Sequence, residues 1–176
     1  MTANHSATPT AEKPDPDEPV RWLDAGEQRV WRSFLEASRL LFDALDRELQ
    51  ADAGMPHAYY EILVRLSEAP DRALRMSALA DRSQSSRSRL SHAVSRLEES
   101  GWVRRENCPD DKRGQIARLT DAGFAALAAA APGHVEGVRS HVFDPLTPEQ
   151  VRHLHTISQT LLDALAQPPD SAGCAG

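Results

Sequence analysis

Between Arg72 and Arg118 the chain carries 11 Lys and Arg against 6 Asp and Glu, a local surplus of five in a sequence whose formal net charge is −6. The remaining residues therefore hold −11, and a basic middle between acidic flanks suits contact with a polyanion, nucleic acid above all. Arg supplies 18 of the 20 basic residues, and its planar fork makes bidentate contacts to phosphate or guanine. Inside this stretch Leu90, Ala93, Val94 and Leu97 recur at helical spacing. At about 100° per residue, the face opposite them holds Ser88, His92 and Ser95, with Arg89, Ser91 and Arg96 on its shoulders. Small hydroxyls and guanidinium groups are the chemistry of base edges and phosphate oxygens. Glu98 and Glu99 would repel DNA, so the N-terminal half of this helix is the part expected to approach it, where the helix dipole also favours phosphate.

The elements that must hold those residues are mostly helical. A first helix over about 24–51 carries Val30, Trp31, Phe34, Leu35, Leu41, Leu45 and Leu49 on one face. Gly54 and Pro56 mark a turn into a second helix bearing Tyr59, Ile62, Leu63 and Leu66, which stops before Pro70. A short third helix spans Met76 to Arg82, and the polar break Gln84-Ser85-Ser86 leads into the fourth, which Gly101 closes in the position of a left-handed cap. The period then changes. Residues 102–107 and 115–119 read as two strands around a charged, Gly-ended tip running from Cys108 to Gly114. Thr120-Asp121 starts a fifth helix that Pro132-Gly133 should bend or break, and Thr147-Pro148-Glu149 starts a sixth. The Pro-, Thr- and Gly-rich ends, 1–20 and 167–176, are expected to be disordered. The fold class is mainly α (α+β): a winged helix-turn-helix lobe flanked by N- and C-terminal helices.

The runs Met76-Ser-Ala-Leu-Ala-Asp-Arg82, Arg89-Leu-Ser-His-Ala-Val-Ser-Arg-Leu-Glu98 and Gly101-Trp-Val-Arg-Arg105 are followed by Asp111-Lys-Arg-Gly114 and Leu119-Thr-Asp-Ala-Gly123. Taken in this order, they resemble the MarR family over residues 22–166, most strongly from Leu74 to Gly123. The resemblance implies a MarR-type domain over 21–166, with the winged helix-turn-helix at about 56–120 and dimerisation helices at about 22–52 and 120–166. It implies a cytoplasmic homodimer that binds double-stranded DNA at a pseudo-palindromic operator, usually as a repressor, released by a small-molecule effector. Carried onto this sequence, Ser86, Ser88, Arg89 and His92 become recognition-helix positions. Arg113 becomes the wing residue entering the minor groove, held by an ion pair to Asp111 beside Gly114. His92 departs from the Arg that relatives often carry and introduces a pH-sensitive group. Family members often take small aromatic or phenolic effectors, and Trp31, Phe34, His57, Tyr59 and Tyr60 would line such a pocket, though core packing explains them equally well.

Other chemistries find less support. No Gly-rich phosphate loop, nucleophile elbow or carboxylate pair tied to a His is present, so an enzyme is not expected. A helical interaction adaptor that has lost DNA binding is the stronger rival, and retention of Arg89, Arg113 and Asp111 argues against it. Two cysteines, Cys108 and Cys174, lack metal-finger spacing, and Cys108 reads as a plain free thiol. His153 and His155 fall on different helix faces, while His134 and His141 align without an evident carboxylate; no metal and no cofactor are expected. The longest apolar run, Phe124 to Ala131, is too short to span a bilayer, so no membrane partner is expected either.

Overall fold

A computed structural model describes residues 19–83, 85–108 and 111–166, without the side chains of Asp111, Lys112 and Arg113. The two expected tails lie outside these residues apart from Pro19 and Val20. The chain divides into two units, one ending at Ala37 and the other beginning at Ser38. In the first, Asp24 Oδ1 accepts the Glu27 N–H at 2.8 Å while Glu27 Oε2 accepts the Asp24 N–H at 2.9 Å. This reciprocal cap opens helix α1 (Ala25–Ala53), which continues into the second unit. Of the apolar face expected on this helix, only Leu45 and Leu49 are buried.

The second unit contains the helix-turn-helix order. Helix α2 (His57–Ser67) is followed by a single 3-10 turn, Pro70–Arg72, and a short strand β1 (Ala73–Arg75). Helices α3 (Met76–Arg82) and α4 (Arg87–Glu99) come next, then strands β2 (Val103–Cys108) and β3 (Asp111–Leu119). Helix α5 (Asp121–Val138) runs into one π turn, Arg139–Phe143, and helix α6 (Pro148–Ala166) ends the described chain. The sheet is antiparallel in the order β1-β3-β2, with Leu74 opposite Ala117 and Val103 opposite Leu119. Leu63 and Leu66 of α2, Leu79 of α3, and Leu90, Val94 and Leu97 of α4 are fully buried in one core with Ala117 and Leu119 of β3. Truncating any of these leucines to Ala would cost about 2–5 kcal/mol, because the cavity adds to the lost transfer energy. No described helix is long and apolar enough to cross a membrane.

Three details differ from expectation. The hairpin gains a third strand, β1, whose three residues are too few to show a period. The tip is shorter than Cys108–Gly114: Asn107 faces Gln115 but Cys108 faces Asp111, so residues 112–114 bulge out of register. Pro132 does not end α5, which runs through it and Gly133. Pro132 and Ala128, whose carbonyl loses its intrahelical donor, are both exposed, so water can satisfy that oxygen.

Candidate nucleic-acid interface

Helix α4 is fixed from both ends. At its start Ser86 Oγ accepts the Arg89 N–H at 3.3 Å, an N-cap of the expected kind. At its end Gly101 adopts φ +74°, and its N–H and that of Trp102 reach back to the carbonyls of Glu98 and Leu97 at 2.9 Å each. That pair of bonds is a Schellman cap, and the left-handed backbone it needs favours glycine. With Leu90, Val94 and Leu97 turned inward, Ser86, Ser88, Arg89, Ser91, His92 and Arg96 are all exposed. Ser95, placed by helical spacing on the outer face, is half-buried instead. Its Oγ donates to the Ser91 carbonyl at 3.0 Å and accepts from Arg105 at 2.7 Å.

The local charge surplus sorts itself on folding. Arg72 lies 3.9 Å over the Phe124 ring and 3.4 Å from Asp121. Arg96 pairs with Glu99 at 2.8 Å, and this hydrogen bond pushes its pKa further up. Arg118 holds both Glu106 oxygens at 3.1 Å, Arg104 adds a contact at 2.8 Å, and the Arg118 bond leads in keeping the Glu106 carboxyl below its usual range. Arg105 sits between Glu98, Ser91 and Ser95. Glu98 and Glu99, expected to repel a polyanion, are thus each matched by an arginine. Among the described residues of 72–118, Arg82, Arg87, Arg89 and His92 have no side-chain partner, and three of these four lie at the start of α4.

Beside them opens a cleft of about 560 Å³ lined by Arg75, Met76 and Ser77 at the start of α3, by Arg87, Ser88 and Ser91 of α4, and by Gly114 and Gln115 of β3. Arginine, hydroxyl and glycine linings suit a phosphodiester backbone approaching where helix pair and hairpin meet. Sequence reasoning missed Arg75, Ser77 and Arg87, because their approach to β3 is a tertiary event. The expected ion pair of Asp111 with Arg113 concerns side chains outside those described.

Of the five residues suggested for an effector pocket, two belong to the first unit and three to the second. Trp31 and Phe34 stack on each other in the first unit with ring centres 6.3 Å apart. Tyr59 packs against the core of the second unit. His57 and Tyr60 line a cavity of about 230 Å³ with Glu61, Val64, Arg65, Glu68 and His134. The His134 ring centre lies 4.4 Å from that of Tyr60 and 5.4 Å from that of His57. Burial, followed by the neighbouring His57, lowers the His134 pKa, and burial raises that of Tyr60. His141 meets Glu48 at 2.6 Å, so the two aligned histidines take separate partners.

The sequence profile of the MarR family matches residues 53–114. The crystal structure of Sco3205, a MarR family transcriptional regulator from Streptomyces coelicolor solved in complex with DNA, is 58% identical to this chain. It covers 88% of this chain and 96% of its own, with a TM-score of 0.81. AbsC, a MarR family transcriptional regulator from the same organism, is 43% identical over 83% of this chain and 98% of its own, with a TM-score of 0.77. The transcriptional repressor YetL of Bacillus subtilis is 29% identical over 112 residues, 64% of this chain, and the match spans 66% of YetL. The similar proteins are regulators, not enzymes.

Proposed function

This chain belongs to the MarR family of transcriptional regulators, and we propose that it binds double-stranded DNA sequence-selectively as a homodimer, at a pseudo-palindromic operator. The observation that carries this is the outer edge of α4. Ser88, Arg89 and His92 stand exposed, Arg89 and His92 have no side-chain partner among the described residues, and the helix is held from behind by Leu90, Val94 and Leu97. Such a helix enters the major groove by its N-terminal half, and the hairpin tip, which carries Arg113 in the sequence, reaches the neighbouring minor groove. The complex of Sco3205 with DNA supports the reading. Repression follows from occluding a promoter. Binding-site selection from a random duplex pool tests it: a recovered inverted repeat with half-sites about one helical turn apart is expected. Affinity should fall by about 10³–10⁵ between 50 and 200 mM salt if 6–10 phosphates are contacted. An adaptor without DNA binding would recover no sequence.

A small aromatic effector fits the same scheme. The His57–Tyr60–His134 cavity, about 230 Å³, is smaller than the roughly 300–1,000 Å³ usual for drug-sized ligands. It suits a single-ring neutral phenol, with Arg65 and the histidines as polar partners and Glu61 and Glu68 disfavouring an anion. A thermal-shift screen of simple phenols, repeated on Tyr60→Leu, tests this: a hit that survives the substitution places the effector elsewhere.

A further inference from the structure

We propose that Arg105 is a positioning residue that sets the distance between the base-reading edge of α4 and the wing, and that it does not touch DNA itself. The inference rests on the DNA-binding reading above and deepens it. Arg105 lies on β2, an edge strand, opposite Ala117 of β3. Its Nη2 donates to the Ser91 carbonyl at 2.6 Å and to Ser95 Oγ at 2.7 Å, and its Nε lies 3.3 Å from Glu98 Oε2, close enough for an ion pair though not aligned for a hydrogen bond. In return Glu98 Oε1 accepts the Arg105 main-chain N–H at 2.7 Å, a donor that an edge strand would otherwise leave to water.

The strand therefore holds the helix through its side chain, and the helix holds the strand through Glu98. The contacts at Ser91, Ser95 and Glu98 span about two turns of α4, so they oppose both rolling of the helix about its axis and sliding along it. Neither partner is free to swing away, since the Arg105 side chain is 21% exposed and that of Glu98 32%. A reader that places a helix in one groove and a hairpin in the next needs this separation matched to the duplex. The positive charge of Arg105 is matched by Glu98 and contributes little to phosphate attraction.

The test compares Arg105→Ala, Arg105→Lys and Glu98→Gln with the unsubstituted full-length protein, using binding-site selection and affinity at several salt concentrations. If Arg105 positions, Ala and Lys behave alike, because a Lys ammonium keeps the charge at one point and does not meet the Ser91 and Ser95 oxygens and Glu98 together, as the guanidinium does through Nη2 and Nε. Both lose base preference at the flanks met by the wing and keep the core motif, specific affinity drops by about tenfold, and the salt slope is unchanged. Glu98→Gln retains an acceptor for the strand N–H and leaves the Nη2 bonds to Ser91 and Ser95, but removes the charge that holds the guanidinium at Nε. It should lose flank preference too, which keeps the proposal open to refutation should Arg105→Ala fail to fold. A slope shallower by about one unit in Ala but not in Lys would make Arg105 a phosphate contact and overturn the proposal. Flank preference intact in all three variants would reduce the pair to a fold-stabilising contact. Failure of the unsubstituted protein to select any sequence is a separate outcome that removes the DNA-binding reading, and the positioning role with it.

Discussion

Arg89 and His92 lie three residues apart on α4, exposed and without side-chain partners among the described residues, so each is available to a base edge. Arg89→Ala and His92→Ala should change which bases are selected, with about 1–3 kcal/mol of discrimination lost at the affected position. Arg113→Ala should behave differently. A wing residue in the minor groove meets a degenerate pattern, so binding should weaken across sequences and the salt slope flatten by about one unit. Selected motifs that stay intact in the helix variants while Arg113→Ala rewrites the core would reverse the assignment of helix and wing. His134 makes a separate prediction about stability. Burial lowers its pKa below the ordinary 6.5, with His57 adding to the shift while Glu61 and Glu48 oppose it. Above the unfolded value the group costs nothing. As pH falls through 6.5 towards the lower folded value, the unfolded chain takes up a proton that the folded chain resists, and stability declines. His134→Phe keeps a ring against Tyr60 and should remove that part of the acid-side decline in Tm between pH 7 and 5. An identical pH profile in the variant would assign the decline to other groups.

The start of α5 explains why a Leu-Thr-x-x-Gly run follows the hairpin. Thr120 Oγ1 accepts the Gly123 N–H at 3.0 Å and donates to the Gly101 carbonyl at 2.7 Å, which ties the helix to the end of α4. A Cβ on Gly123 would fall on the Trp102 carbonyl oxygen, a backbone atom held in place by its bond from the Thr120 N–H at 3.0 Å. Gly123→Ala should therefore destabilise by about 1–3 kcal/mol through overpacking. Gly133→Ala, further along the same helix, is the control. Its Cβ would meet only an Asp52 carboxylate oxygen at 3.5 Å, an ordinary contact, and helix propensity predicts a gain of about 0.5–1 kcal/mol. Urea unfolding of the two variants measures both, and opposite signs are the expected result. The cap at Thr120 and the closure at Gly101 were legible in the sequence because their bonds join near neighbours. Strand β1 was not, because Ala73–Arg75 becomes a strand only by lying against residues 116–118.

No residue of α6 is buried, and Ile157 and Leu165 are 58% and 81% exposed, with Leu154 and Leu161 also on the surface at helical spacing. In the first unit Val30, Trp31, Phe34 and Leu35 are exposed as well. Burying a large aliphatic side chain is worth about 1.5–3 kcal/mol, so a set of this size is a strong drive to pair with a second copy. Light scattering should report a dimer at micromolar concentration. Ile157→Glu combined with Leu161→Glu should give a folded monomer whose operator affinity is lower by about 10²-fold or more, because two half-sites are no longer engaged together. A dimer persisting in that variant would move the interface away from α6.

The period of apolar residues, the capping residues and the order of helix, turn, helix and hairpin placed α2, α3 and α4 closely, and with them the exposed edge of Ser88, Arg89 and His92. Those features are local: a helix face and its caps involve neighbours within about five residues, and their side chains carry the signal directly. Which arginines remain available was not local. Arg105, Arg118 and Arg72 counted equally with Arg89 in the charge surplus until folding set Glu98, Glu106 and Asp121 beside them. His134 likewise came to rest against His57 and Tyr60 rather than with His141, its neighbour one heptad on. Pairings across long loops depend on how helices and strands pack, and no short-range pattern in the chain encodes that packing.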